Sequence, residues 1–115
     1  MKHILVVDDA PVDLQHLERI CSDAGAVVTT ARNGEEAIAK AKELKPTMIL
    51  LDVNMPGLDG FSVARQLAND PATRAIPIVF VTSKDQKADR VFAQMLGARG
   101  YITKPYSPEQ ILEQI

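Results

Sequence analysis

Five short apolar runs, each followed by a helical pattern, constrain this chain more than any other feature of it. Ile4-Leu5-Val6-Val7 is an unbroken aliphatic run too short for a helix, and it predicts a strand buried on both faces. Pro11 can open the helix that follows, Leu14, Leu17, Ile20, Cys21 and Ala24 fall on one face of it, and Gly25 can end it. Val27 and Val28 with two threonines predict a second strand. Asn33 then stands as an N-cap with Glu36 in the capping-box position, ahead of the stripe Ala37, Ile38, Ala41 and Leu44. Met48-Ile49-Leu50-Leu51 predicts a third strand ending at Asp52, and Phe61, Ala64 and Leu67 a short helix beyond the loop Met55–Gly60. Ile78-Val79-Phe80-Val81 predicts a fourth strand ending at Thr82. Ala88, Val91, Phe92, Met95 and Leu96 form the next helical stripe, with its Met and Phe expected in the core. Tyr101 and Ile102 predict a fifth strand, and Ser107, Pro108 and Gln110 supply cap, N1 proline and capping-box partner for a last helix. Such alternation is a (βα)5 pattern. It implies an α/β domain with a parallel sheet, right-handed crossovers and helices on both faces.

Composition excludes several functions. A length of 115 residues fits one domain, 1–115, and 46% apolar content supplies one core. A net charge of −2 gives no electrostatic drive toward nucleic acid or an anionic membrane. No apolar run reaches spanning length, and the N-terminus turns acidic at Asp8, unlike a signal peptide. One cysteine, Cys21, allows no internal disulfide, so a reducing, cytoplasmic location is expected.

In a doubly wound sheet, ligands bind outside the carboxyl ends of the strands. After the first strand come Asp8 and Asp9; after the third, Asp52; at the end of the fourth, Thr82; and after the fifth, Lys104 followed by Pro105. Three carboxylates, a hydroxyl and an ammonium should therefore meet on one edge. Two unit charges 4 Å apart at an effective dielectric of about 20 interact by roughly 4 kcal/mol, so the carboxylates need a cation beyond Lys104. Oxygen ligands with room for water and phosphate favour Mg2+ over Ca2+, and no EF-hand loop is present.

With these residues in place, the chain resembles the receiver domain of two-component response regulators, the CheY-like family. The acid pair Asp8-Asp9, Asp52, the loop Asn54-Met55-Pro56-Gly57, Thr82 and Lys104-Pro105 carry the resemblance, which covers the whole chain. It implies a five-stranded parallel sheet in order 2-1-3-4-5. Asp52 would be the phosphoacceptor, taking a phosphoryl group from a histidine kinase. Mg2+ would be held by Asp9 directly, Asp8 mostly through water, Asp52, and the backbone carbonyl of Asn54. Lys104 would grip a phosphoryl oxygen, and Thr82 would hydrogen-bond another. Tyr101 would swing inward as Thr82 moves, and the Lys104-Pro105 bond would be cis. The fourth helix, fifth strand and fifth helix would then present a changed surface to a downstream protein effector. The resemblance implies a monomer that promotes its own phosphorylation and dephosphorylation, not a turnover enzyme. Segments 81–86 and 97–101 further resemble receivers of pilus (twitching-motility) chemosensory systems. The stretch from Pro108 to Ile115 allows about 12 Å of final helix, short for this fold, and leaves a trimmed chain or a removed output domain open.

Three other readings compete. An aspartyl phosphatase dependent on Mg2+ needs a D-x-D motif after the first strand, and here the acids are adjacent. A flavodoxin-like carrier must cradle a phosphate in its first loop, which Asp8-Asp9-Ala10-Pro11 would repel. A constitutive interaction scaffold would not need the full acid, hydroxyl and lysine set. No P-loop and no G-x-G-x-x-G occurs. His3, His16 and Cys21 are expected to be structural.

Overall fold

The computed structural model describes residues 1–115, folded as ten alternating elements. These are β1 (His3–Val7), α1 (Pro11–Asp23), β2 (Val27–Ala31), α2 (Gly34–Leu44), β3 (Met48–Leu51), α3 (Gly60–Ala68), β4 (Ile78–Thr82), α4 (Lys87–Met95), β5 (Gly100–Thr103) and α5 (Pro108–Leu112). All strand pairs are parallel, in the order β2-β1-β3-β4-β5. The fold class and the strand order both match the expectation.

Period-two alternation along the buried strands divides the core. Leu5 and Val7 of β1, Ile49 and Leu51 of β3, and Phe80 of β4 join one cluster with Ala37, Ala41, Val63, Leu67 and Ala93 of the helices. Ile4, Val6, Met48, Leu50, Val79 and Val81 point the other way and pack with Leu14, Leu17, Ile20, Cys21 and Ile111. The continuous apolar runs are explained by this two-sided burial.

Helix ends follow local chemistry. Gly25 and Gly97, both with positive φ, end α1 and α4. Ala26 N–H donates to Cys21 C=O and Gly25 N–H to Ser22 C=O, while Ala98 and Gly97 repeat the pattern onto Ala93 and Gln94. Both are Schellman ends that satisfy the last carbonyls. The Asn33 side chain caps α2 by accepting from Glu36 N–H at 2.8 Å. The reciprocal half of that expected capping box differs, because the Glu36 carboxylate accepts from Arg32 N–H instead and also pairs with Lys40 one turn on. In α5 the Gln110 side chain does accept from Ser107 N–H, at 2.9 Å.

One core assignment needs correction. On α4 only Ala93 is fully buried, with Phe92 and Leu96 half-buried. Ala88, Val91 and Met95 face solvent, and Met95 is 77% exposed. The apolar stripe is wider than the arc this nine-residue helix lays on the sheet, so one flank of it has nothing to cover it.

Candidate functional site

The backbone ladder runs one residue past three strand ends and fixes what stands there. Asp8 N–H donates to Ala31 C=O at 3.1 Å, Asp52 N–H to Val7 C=O at 3.0 Å, and Lys104 N–H to Thr82 C=O at 2.9 Å. The three side chains are thereby carried to the same edge, where Lys104 Nζ contacts Asp8 Oδ2 at 2.8 Å and Asp52 Oδ2 at 3.1 Å. Asp8 and Thr82 are 0% exposed and Asp52 is 5% exposed, whereas Asp9 lies open to solvent. Carboxylate oxygens of Asp8, Asp9 and Asp52 all lie within 4.8 Å of one another.

Each acid is held locally. Asp8 Oδ1 accepts from Ala10 N–H at 2.9 Å, and Asp52 Oδ1 accepts from Asn54 N–H at 3.1 Å. These Asx-type bonds orient the carboxylates before any ligand arrives. The loop after β3 is closed by Gly60 N–H donating to Val53 C=O at 3.0 Å. Gly60 is required by a close approach, since a Cβ there would sit 2.1 Å from the Asp52 carbonyl oxygen. Thr82 Oγ1 accepts from Lys84 N–H at 3.3 Å. The Asn54 side chain reaches across to Ser83 Oγ at 3.1 Å, joining the β3–α3 and β4–α4 loops.

Burial raises the Asp8 carboxyl above the usual range, opposed but not cancelled by the bonds from Lys104 and Ala10; the Asp52 charge adds to the rise. Burial also works against the Lys104 ammonium, but its bonds to Asp8 and Asp13 outweigh that and leave its pKa raised. The lysine is thus held charged, as a fixed positive point at the edge of the acid cluster.

Asp13 was not anticipated. It lies in the first turn of α1 and accepts from Lys104 Nζ at 3.0 Å. The ammonium therefore contacts three carboxylates, with Asp9 beside two of them, and four acids against one lysine give a formal net of −3 that favours a divalent cation. The donor set of hard oxygens from Asp8, Asp9 and Asp52 fits Mg2+ chemistry. Tyr106 was also missed: its ring stacks on His16 at 5.5 Å between centroids, its hydroxyl lies 3.1 Å from His16 Nδ1, and burial with the Asp13 charge pushes it up to about 12.

Tyr101 is half-buried on β5, its ring 6.0 Å from Phe80 and 5.0 Å below the Arg90 guanidinium. Its hydroxyl donates to Lys84 C=O at 2.7 Å, tying it to the loop that follows Thr82. The Lys104-Pro105 peptide bond is cis.

The family model described as the response regulator receiver domain matches residues 4–115. The chain belongs to that family. It is 44% identical to protein PilH of Pseudomonas aeruginosa over 115 residues, covering all of this chain and 95% of PilH. Protein PilG of the same organism is 32% identical, with 97% of this chain and 83% of PilG covered. Against the response regulator PleD of Caulobacter vibrioides the identity is 41%, but the chain spans only 25% of that protein's length. Among solved structures, the chemotaxis protein CheY4 of Vibrio cholerae superposes with a TM-score of 0.93 at 32% identity, covering 99% of this chain and 95% of CheY4. The receiver fold is therefore shown, and no helix here is long and apolar enough to cross a membrane.

Proposed function

We propose that this receiver is a phosphoacceptor switch in two-component signalling, with Asp52 as the acceptor and a histidine kinase as donor. The observation that carries the reading is the position of the Asp52 carboxylate, nearly buried at the sheet edge between the Lys104 ammonium and the Asp8-Asp9 pair. One Asp52 oxygen attacks the phosphorus of a phosphohistidine; a P–O bond forms as the P–N bond breaks, and the imidazole leaves with a proton from solvent. Asp8, Asp9, Asp52 and the Asn54 backbone carbonyl would hold Mg2+, which would supply positive charge against the phosphoryl oxygens. Lys104 grips one of those oxygens as a point charge, and Thr82 donates its hydroxyl to another. As Thr82 turns toward the phosphoryl group, Tyr101 settles inward. The surface of α4, β5 and α5, including the exposed Val91 and Met95, changes its affinity for a protein effector. Likeness to PilH and PilG supports a role in a pilus chemosensory system.

The test is intact-mass analysis after incubation with a small phosphodonor and Mg2+. Wild type gains one phosphoryl group, and Asp52→Asn gains none. Equal gain by both proteins would move the acceptor elsewhere. No gain by either, with metal binding retained, would leave a metal site on an interaction scaffold.

A further inference from the structure

The Lys104 ammonium has three N–H bonds, and all three are in use. They go to Asp8 at 2.8 Å, Asp13 at 3.0 Å and Asp52 at 3.1 Å. A lysine that is to grip a phosphoryl oxygen must first let one partner go. The three partners differ in what release costs. Asp8 is fully buried, so losing the ammonium leaves a buried carboxylate short of its charged partner. Asp52 is the group that would carry the phosphoryl, and it stays adjacent whatever happens. The Asp13 side chain is 45% exposed, so water replaces the lysine there at little cost. Asp13 also lies outside the trio of carboxylates that converge on the cation position.

We propose that Asp13 is a positioning residue that parks the Lys104 ammonium in the unphosphorylated protein and competes with the incoming phosphoryl group for it. The proposal rests on the phosphoacceptor reading and adds a brake to it. Asp13 acts in two ways. It occupies the N–H that the phosphoryl oxygen needs, and its charge repels that oxygen across the same ammonium. Its side chain sits in the first turn of α1, where an acid also suits the helix dipole, so its charge is kept in place by the helix it belongs to.

The experiment is calorimetric titration of beryllofluoride, a phosphoryl mimic, at saturating Mg2+, on wild type, Asp13→Asn, Asp13→Ser and Asp13→Glu. Asn and Ser should bind the mimic about two- to fivefold more tightly than wild type, the range expected for a half-exposed ion pair. Glu restores the charge and should return wild-type affinity. The gain should shrink as salt is raised to about 0.5 M. Titration of Mg2+ alone separates a positioning role from a structural one. Removing a negative charge leaves Mg2+ affinity unchanged or lower, whereas a loosened site would weaken both ligands. Asn and Ser variants that bind the mimic no better than wild type would overturn the brake. Failure of every protein, wild type included, to bind beryllofluoride would instead remove the phosphoacceptor reading, and the brake with it.

Discussion

Asp8 is the residue whose environment is most at odds with its charge. Its carboxyl is raised by burial despite two hydrogen bonds, so the fold favours its protonated form. A group raised in this way adds stability that is fully present at low pH and is lost as pH climbs through its folded value. Stripped of metal, Asp8→Asn should therefore show a higher urea midpoint than wild type at pH 7. The gap should close as pH falls into the carboxylate range, where wild-type Asp8 also becomes neutral. A variant less stable than wild type at pH 7 would mean that the Lys104 pair outweighs the burial. The acids Asp8, Asp9 and Asp52, with Thr82 and Lys104, could be located from the chain alone because a parallel sheet turns "next after the strand" into a place in space. Asp13 could not. An acid three residues into a helix already has an ordinary explanation in the helix dipole, and nothing in its spacing announces a partner 91 residues away.

At the scale of the element, the turn into α3 sets the loop that follows Asp52. Because a Cβ on Gly60 would collide with the Asp52 backbone, Gly60→Ala should push the loop off its position. The expected loss is about 1–3 kcal/mol in chemical denaturation, typical of overpacking. Phosphoryl uptake measured by intact mass should slow by more than that stability loss explains; unchanged uptake would mean that the loop absorbs the extra carbon. The identity of α4 was readable from its apolar spacing, but its rotation was not. Pattern shows which arc is apolar, while the packing shows which part of that arc a short helix at the sheet edge can cover. Spacing alone places Val91 and Met95 on the apolar stripe for that reason, yet they stand in water. The half-formed capping box at α2 has a similar cause, since Glu36 has Lys40 as a second partner on the same face.

For the whole molecule, the two-sided core makes Cys21 a reporter of global opening. It is fully buried on the inward face of α1, and burial pushes its thiol up to about 11 from an ordinary value near 9. The fold favours the neutral thiol, so its contribution is complete below about 9 and declines as pH rises toward 11. Urea midpoints of wild type should fall across that window, and Cys21→Ala should flatten the part of the decline that precedes tyrosine ionisation. A thiol reagent at pH 8 should label the folded protein only at the rate at which it opens. The same architecture bears on when the protein becomes competent. Lys104 meets Asp8 across 96 residues and Asp52 across 52, and the groups of the cluster stand at the ends of four different strands. No local segment assembles the cluster in advance, and the ammonium arrives only when the last strand docks. If Asp52 takes the phosphoryl group as proposed, a chain still folding, or one with β5 loosened, lacks the ammonium its site needs, and the domain vouches for its own completeness before it can take a signal.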